Sequence, residues 1–188
     1  HDGADFDTSR AVRSNRFHYV RNFMPHQGWD PILYSWSRAP YMLTEWLQAA
    51  ETGKLDHNMR QYAFFADKKP LEELYDVIND PDCIHNLADA PEHRATLCEM
   101  RQQCKAWMIE NGDLGLMSQY ELYSRSETVG TPYRLSADRK HNLVEDLLRA
   151  AELANSPTED NIDELKLLLN DEDSALRRWG AIGLLAAD

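Results

Sequence analysis

The sequence predicts an α+β fold, in which one long helix packs across a small antiparallel sheet and an all-α tail follows. Three patterns predict it: a hairpin pattern in residues 10–23, a short β-prone run around Leu74, and apolar residues spaced three and four apart farther along the chain. We expect the sheet module over residues 1–117, a linker over 118–140 and the helical tail over 141–188.

Two short strands are predicted on either side of a turn at residues 14–16, because side chains alternate over residues 11–13 and 17–21. A third strand is expected around Leu74. It should end before Pro81, which cannot donate a hydrogen bond to a sheet ladder. These three strands make the small sheet.

A long amphipathic helix should follow the third strand. Pro91 suits the first turn of a helix, and Asp89 is a candidate N-cap. Apolar residues then recur on one helical face: Leu97, Met100, Cys104, Trp107 and Met108. We expect this face to be buried until Gly112 ends the helix.

An aromatic insertion separates the second and third strands over residues 24–70. Its second half predicts a helix that stops at Gly53 and a shorter helix over residues 59–65. Its first half reads as a loop, and loops on a rigid scaffold often hold binding residues. Lys68 and Lys69 could reach a sulfate, but we expect them in a solvated turn.

Residues 113–140 mix glycine, serine, threonine and proline, which predicts an extended connection. Its tyrosines are expected to pack against the body of the protein: Tyr120, Tyr123 and Tyr133. Three helical runs are predicted after it, over residues 143–153, 162–169 and 175–186.

The composition limits the classes of function. The chain has 188 residues, 43% of them hydrophobic and 28% charged, and a net charge of -12, which indicates a globular acidic protein. Nucleic acids and anionic membranes are disfavoured as partners, because both require a basic face. No signal peptide or membrane span is visible in the sequence.

Cys83, Cys98 and Cys104 lack C-x-x-C spacing, so we expect buried free thiols rather than a zinc site or a disulfide framework.

Three short motifs resemble the segment that closes the sulfatase fold: Glu73-Leu74-Tyr75-Asp76, Asp80-Pro81 and Asn86-Leu87-Ala88. The hairpin that begins with Ala11-Val12-Arg13 is similar to the hairpin that precedes this segment in the family. Over residues 10–117 the similarity is to the branch that includes heparan N-sulfatase and its bacterial relatives. Residues 170–185 resemble one helix of a HEAT-like repeat, an architecture that buries its apolar faces by stacking.

The resemblance implies that the chain is the carboxy-terminal portion of a sulfatase, which closes the active-site cleft and shapes substrate specificity. Sulfatases hydrolyse sulfate esters or sulfamates with a formylglycine, made within a C/S-x-P-x-R motif, beside a calcium ion. No cysteine here stands in that motif. We therefore expect no catalytic residue and no metal ligand in this chain, and we assign formylglycine and calcium to an N-terminal catalytic domain, the expected partner.

The chain starts inside an apparent motif, which predicts that it is a fragment of that enzyme. Sulfatases are often exported, but the sequence leaves the compartment open. Because the large domain would cover one apolar surface, we expect the isolated chain to expose a hydrophobic patch and to form a homo-oligomer.

The substrate-binding candidates are Asp2, His26, Trp29, Trp36 and Arg38. An imidazole can donate to a sugar hydroxyl or a sulfate oxygen, and aromatic rings beside an arginine suit a sugar face that carries an anionic group. Asp2 keeps part of an acidic pattern that lies near the substrate pocket in the resembled branch. A sulfated carbohydrate or a small sulfate ester is the implied substrate. Two alternatives fit the same residues. His26 could be an ordinary histidine of a surface loop, and the aromatic residues could be the hydrophobic filling of a long loop.

Two other functions stay open at this point. The helical tail and the acidic surface fit a non-catalytic protein-interaction module, and the aromatic loop fits a carbohydrate-binding module. A C/S-x-P-x-R segment upstream in the parent gene would favour the enzyme. Sugar binding by the isolated chain would favour the carbohydrate-binding module.

Overall fold

The computed structural model of the chain describes residues 7–29, 40–54, 66–138 and 143–187. The backbone divides into two compact units. The sheet unit is Ser9–Gln102, and the helical unit is Gln103–Asp188 together with His1–Thr8. The predicted α+β class with a helical tail is confirmed, whereas the predicted domain bounds stay a prediction.

The sheet unit contains a three-stranded antiparallel sheet in the order β1-β2-β3. The strands are β1 (Ser9–Arg13), β2 (Phe17–Asn22) and β3 (Glu72–Asp76). Tyr19 of β2 lies opposite Leu74 of β3, and both side chains are fully buried. The predicted hairpin and third strand are thus confirmed. β3 ends sooner than the β-prone run suggests, because Asp76 starts a hydrogen-bonded turn that leaves Ile78 exposed.

Two helices before residue 112 lie where the periodicity predicts them. α1 spans Pro40–Glu51, and Gly53 follows it with φ +67°, a left-handed conformation that suits glycine. A short 3-10 helix, Pro91–His93, leads into α2, Arg94–Asn111. The helix predicted over residues 59–65 lies outside the described residues.

Two details of the long helix were predicted wrongly. The N-cap residue is Ala90, which makes no side-chain cap bond, so Asp89 is not the cap. The 3-10 helix begins at Pro91, so its N-cap position is residue 90, and Asp89 lies one residue before that position. Trp107 is 52% exposed, whereas its neighbour Met108 is fully buried. Adjacent residues of a helix point in directions about 100° apart, so they cannot both face the core directly. Here Met108 faces inward and Trp107 does not.

The helical unit contains five further helices: α3 (Gln119–Ser126), α4 (Pro132–Ala137), α5 (Val144–Ala154), α6 (Ile162–Leu168) and α7 (Ser174–Ala187). The last three confirm the helical runs predicted for the tail. Their likeness to a HEAT repeat stays a prediction. None of the helices in the described ranges is both long and apolar enough to cross a membrane.

The extended connection predicted for residues 113–140 is wrong, because α3 and α4 lie within it. Ser118 Oγ accepts from the backbone N–H of Glu121 at 3.2 Å, and Thr131 Oγ1 accepts from that of Arg134 at 3.2 Å. These are N-caps, which start short helices even where the residues between them have modest helix propensity. The three tyrosines expected to pack inward are 82%, 56% and 82% exposed: Tyr120, Tyr123 and Tyr133.

The core of the tail depends on close approach between helices. Trp179 of α7 is fully buried, and its indole N–H donates to the carbonyl of Leu116 at 3.0 Å. A Cβ added at Gly183 would lie 2.6 Å from Leu165 Cδ2 and 2.8 Å from Ala154 Cα. Glycine at this position therefore lets α7 approach both α5 and α6.

Candidate substrate-binding loop

The motif residues of β3 serve the fold. Glu73 is buried and accepts hydrogen bonds from Asn22 Nδ2 at 2.8 Å and from the Tyr75 hydroxyl at 2.5 Å. Asp76 accepts two hydrogen bonds from the Arg16 guanidinium, at 3.0 and 2.7 Å. A buried carboxylate needs such donors, because an unpaired charge in the interior is costly. The Glu-Leu-Tyr-Asp motif thus specifies a strand with paired acids.

The remaining motif residues shape the chain after β3. Asn86 Oδ1 accepts from the backbone N–H of Leu74 at 2.9 Å, and Asn86 Nδ2 donates to the carbonyl of Glu72 at 3.0 Å. The backbone N–H of Leu87 donates to the carbonyl of Leu74 at 2.7 Å. The Asn-Leu-Ala motif therefore attaches the segment before α2 to the free side of β3.

The turn between these motifs contains an unusual backbone conformation. Asp80 accepts from the backbone N–H groups of Ile84 and His85, at 3.1 and 2.8 Å. Within this turn Cys83 has φ +53°, and it is the non-glycine residue with positive φ among the described residues. A side chain in this left-handed conformation costs steric energy, so the position stores backbone strain.

Two acidic residues of β3 stay ionised at neutral pH. Hydrogen bonds from Arg16 lower the pKa of Asp76 well below its usual range, although burial acts in the opposite direction. Burial alone would raise the pKa of Glu72, but hydrogen bonds from Arg101 and Tyr19 outweigh it, and the pKa is lowered. A carboxyl group with a lowered pKa is a poor general acid. These residues therefore have the character of structural ion pairs.

The loop that holds the sequence-predicted site residues begins directly after β2. We call residues 24–29 the His26 loop and residues 66–70 the Lys69 segment. The backbone N–H of Lys69 donates to the carbonyl of Pro25 at 2.9 Å. Within the His26 loop, the backbone N–H of Gln27 donates to the carbonyl of Met24 at 3.2 Å. The Lys69 segment therefore pairs with the His26 loop and fixes its path.

A glycine allows the two segments to lie this close. A Cβ added at Gly28 would lie 2.2 Å from the carbonyl oxygen of Ala66, which is backbone and cannot move aside cheaply. Asn22 adds a second attachment, because its side-chain Nδ2 donates to the carbonyl of Pro70 at 2.7 Å. The Lys69 segment therefore lies against Gly28 at its start and is hydrogen-bonded to Asn22 of β2 at its end.

The burial of Lys69 differs most from what the sequence predicts. It is only 5% exposed, and its ammonium nitrogen lies 4.5 Å from the centroid of the Trp29 ring. The solvated turn predicted for both lysines is therefore correct for Lys68 and wrong for Lys69. Trp29 lies 40 residues earlier in the chain, and no local pattern reveals a contact at that distance.

The structure brings two of the five predicted site residues onto one loop. His26 and Trp29 both lie in the His26 loop, and both are half-buried. Asp2, Trp36 and Arg38 lie outside the described residues, so their part in the site stays a prediction. The described candidates are therefore the His26 imidazole and the Trp29 indole, and the buried ammonium of Lys69 lies over the indole.

The calcium and the formylglycine implied by the resemblance are expected outside this chain. Within the described ranges, no group of three or more histidine, cysteine, aspartate or glutamate residues is placed to hold a metal ion. The cysteines are free thiols; Cys104 is buried, whereas Cys83 and Cys98 are only half-buried, so the expected burial holds for one of the three. Both groups stay expectations for the N-terminal domain.

Comparison with known proteins finds two partial relatives. Over 123 residues, 65% of this chain, the sequence is 41% identical to an ulvan-active sulfatase of Formosa agariphila, and the match spans 20% of that protein. A second ulvan-active sulfatase of the same organism is 29% identical over 106 residues, which are 56% of this chain and 18% of that protein.

The chain thus spans about a fifth of the length of these curated relatives. No family model matches it, and no solved structure matches it. The similarity to part of two sulfatases is consistent with a sulfatase carboxy-terminal region, as the three motifs around β3 predict.

Proposed function

We propose that this chain is the carboxy-terminal portion of a sulfatase, in which it closes the active-site cleft and shapes substrate specificity. The observation that carries the proposal is the 41% identity to an ulvan-active sulfatase over 123 residues. In this proposal an N-terminal catalytic domain supplies the formylglycine and the calcium ion, and hydrolysis of the sulfate ester or sulfamate takes place there. The present chain contributes binding groups.

The His26 loop is the part of the chain that suits a binding role. Its backbone is hydrogen-bonded to the Lys69 segment, and binding groups act best when their supporting structure is fixed. The His26 imidazole donates to a sulfate oxygen or a sugar hydroxyl, and the Trp29 ring offers an apolar face for a sugar. In the proposed site Trp36 and Arg38 extend the aromatic surface and its cationic edge, and Asp2 accepts from sugar hydroxyls.

The substrate is proposed to be a sulfated carbohydrate. The name of both relatives makes ulvan the first substrate to test. The resemblance to the heparan N-sulfatase branch makes a sulfamate-bearing glycosaminoglycan the second. The test of specificity is therefore a comparison between a sulfate ester and a sulfamate.

The experiment is a measurement of sulfate release by the full-length gene product, with ulvan as the sulfate ester, an N-sulfated and O-desulfated heparan derivative as the sulfamate, and ion chromatography as the readout. His26→Ala should lower kcat/KM by about 10- to 100-fold, because a hydrogen bond to a charged group contributes about 1.5–3 kcal/mol. Tyr133→Ala is the control, since it truncates an aromatic residue that is 82% exposed in the helical unit. This variant should retain the wild-type rate.

The proposal is wrong if the parent gene encodes no C/S-x-P-x-R segment and its product releases no sulfate. Tight binding of ulvan by such a product would instead support the carbohydrate-binding module. Equal losses of activity in His26→Ala and Tyr133→Ala would show that the His26 loop has no special part in substrate binding.

A further inference from the structure

We infer that Lys69 is a positioning residue of the substrate-binding loop: its buried ammonium lies over the Trp29 ring and fixes the indole on which the sugar stacks. This inference rests on the proposed function for its sugar, but its structural half stands on the geometry of Lys69 and Trp29 alone. Trp29 is already a proposed binding residue, whereas no sequence motif or relative assigns this positioning role to Lys69.

The first argument is burial. Lysine side chains are rarely buried, because removing an ammonium group from water is costly. Lys69 is nevertheless only 5% exposed, whereas its neighbour Lys68 is exposed. Of two adjacent lysines, the fold therefore buries the one whose ammonium lies over the Trp29 ring.

The second argument is geometry. The ammonium nitrogen of Lys69 lies 4.5 Å from the centroid of the Trp29 ring, well within the range in which a cation is attracted to an indole face. Because the cation covers one face of the ring, a stacking sugar has to use the opposite face. Lys69 thus determines which way the sugar platform points.

The third argument is that Lys69 acts on the loop at two places. Its side chain contacts Trp29 at one end of the His26 loop, and its backbone N–H donates to the Pro25 carbonyl at the other end, at 2.9 Å. His26 follows Pro25 directly in the chain. Lys69 therefore contacts the Trp29 ring directly and holds the backbone next to His26.

A cation behind the platform also suits an anionic ligand. A positive charge in a poorly solvated position acts over a longer range than one in water, because screening is weaker there. The overall charge of the chain is -12, which disfavours a sulfated polymer in general. Lys69 provides a local positive charge where the proposed sugar binds.

The experiment uses the full-length gene product labelled with 5-fluorotryptophan. Fluorine NMR reports the surroundings of each indole, and the Trp29 resonance is assigned as the one missing in Trp29→Phe. Lys69→Met removes the charge and keeps an unbranched apolar side chain, and Lys68→Met is the matched control one residue away. Lys69→Arg keeps the cation over the ring.

Lys69→Met should shift the Trp29 resonance and raise KM for the sulfated substrate about tenfold, a factor that corresponds to about 1.4 kcal/mol of binding. The kcat should stay within about twofold of wild type, because the chemical step belongs to the N-terminal domain. Lys68→Met should match wild type in both readouts, and Lys69→Arg should restore most of the KM. Lys69→Gln makes the same test if Lys69→Met does not fold.

An unchanged Trp29 resonance in the charge-removing variants would overturn the inference. So would a shifted resonance with an unchanged KM, or a loss confined to kcat. If the wild-type product releases no sulfate, the proposed function fails separately, and the resonance of Trp29 still decides whether Lys69 holds the indole.

Discussion

The two units of this chain differ in what they bury. The charged residues that are buried within the described ranges all belong to the sheet unit: Lys69, Glu73 and Asp76. The buried residues of the helical unit are mostly apolar, with Thr8 and Ser126 as polar exceptions, and its helices approach each other at glycine and alanine. The sheet unit therefore buries charged groups, whereas the helical unit depends mainly on the fit of apolar side chains.

The motifs that resemble the sulfatase family lie in the sheet unit, where the buried acids are paired. A buried acid tolerates little substitution, because its donor has to change with it. Glu73 depends on Asn22 and Tyr75, and Asp76 depends on Arg16. Apolar packing accepts many residues of similar volume, and such positions leave a weaker signature in a sequence.

The largest expected effect is in the helical unit. Trp179→Ala should destabilise it by about 3–5 kcal/mol, because it removes a fully buried ring and leaves a cavity. Hydrogen exchange of peptides from α5, α6 and α7 in the full-length protein measures the change. Trp179→Phe is the control, which keeps most of the ring and loses the bond to Leu116, so its effect should be clearly smaller. Equal effects would mean that the hydrogen bond, and not shape, holds this unit.

The second prediction concerns the ion pair between α2 and β3. Arg101 donates to both carboxylate oxygens of Glu72, at 2.6 and 2.5 Å. Arg101→Met should destabilise the sheet unit by about 1–3 kcal/mol, since Glu72 loses two charge-assisted hydrogen bonds. Arg94→Met, at an exposed position of the same helix, is the control and should change little. Hydrogen exchange of β2 and β3 peptides provides the measurement.

The same ion pair predicts a pH dependence that separates the two kinds of interior. The pKa of Glu72 is lowered in the folded protein, so the contribution of the pair is present above the unfolded value of about 4.3 and is lost as the pH falls through the folded value. The difference between wild type and Arg101→Met should therefore shrink below about pH 4. The difference between wild type and Trp179→Ala should not follow this titration.

The smallest expected effect is a gain. Cys83 has φ +53°, and glycine adopts this conformation without the steric cost that a side chain incurs. Cys83→Gly should stabilise the turn by about 0.5–1 kcal/mol through the relief of strain. The greater conformational freedom of glycine in the unfolded chain offsets part of this gain. Cys98→Ala, on α2, is the comparison. Slower hydrogen exchange around Ile84 and His85 would support the prediction, and faster exchange would contradict it.

Periodicity was enough to predict most of the fold. The hairpin, the third strand, α2 and the three tail helices follow from side-chain spacing, which is a local property of the sequence. α3 and α4 were missed because they are short and begin at Ser118 and Thr131, whose capping bonds outweigh a composition typical of loops. Trp107 was misplaced because spacing cannot decide between two adjacent residues at the edge of a face.

The candidate site was less predictable than the fold. His26 and Trp29 were identified from residue type and position in a loop. Lys69 was not, because its burial depends on a segment that returns to the loop after a long insertion. Such a contact has no periodic signal, and a lysine beside another lysine reads as solvated in any local window.

Asn86 has a consequence for how this sheet behaves in a concentrated solution. Exposed strand edges offer unpaired donors and acceptors to other molecules, which is a route to intermolecular β-sheet aggregation. The Asn86 side chain occupies the N–H of Leu74 and the carbonyl of Glu72, the groups through which another chain would add to β3. Together with the backbone N–H of Leu87, which donates to the carbonyl of Leu74, this amide side chain protects the β3 edge against pairing with another strand.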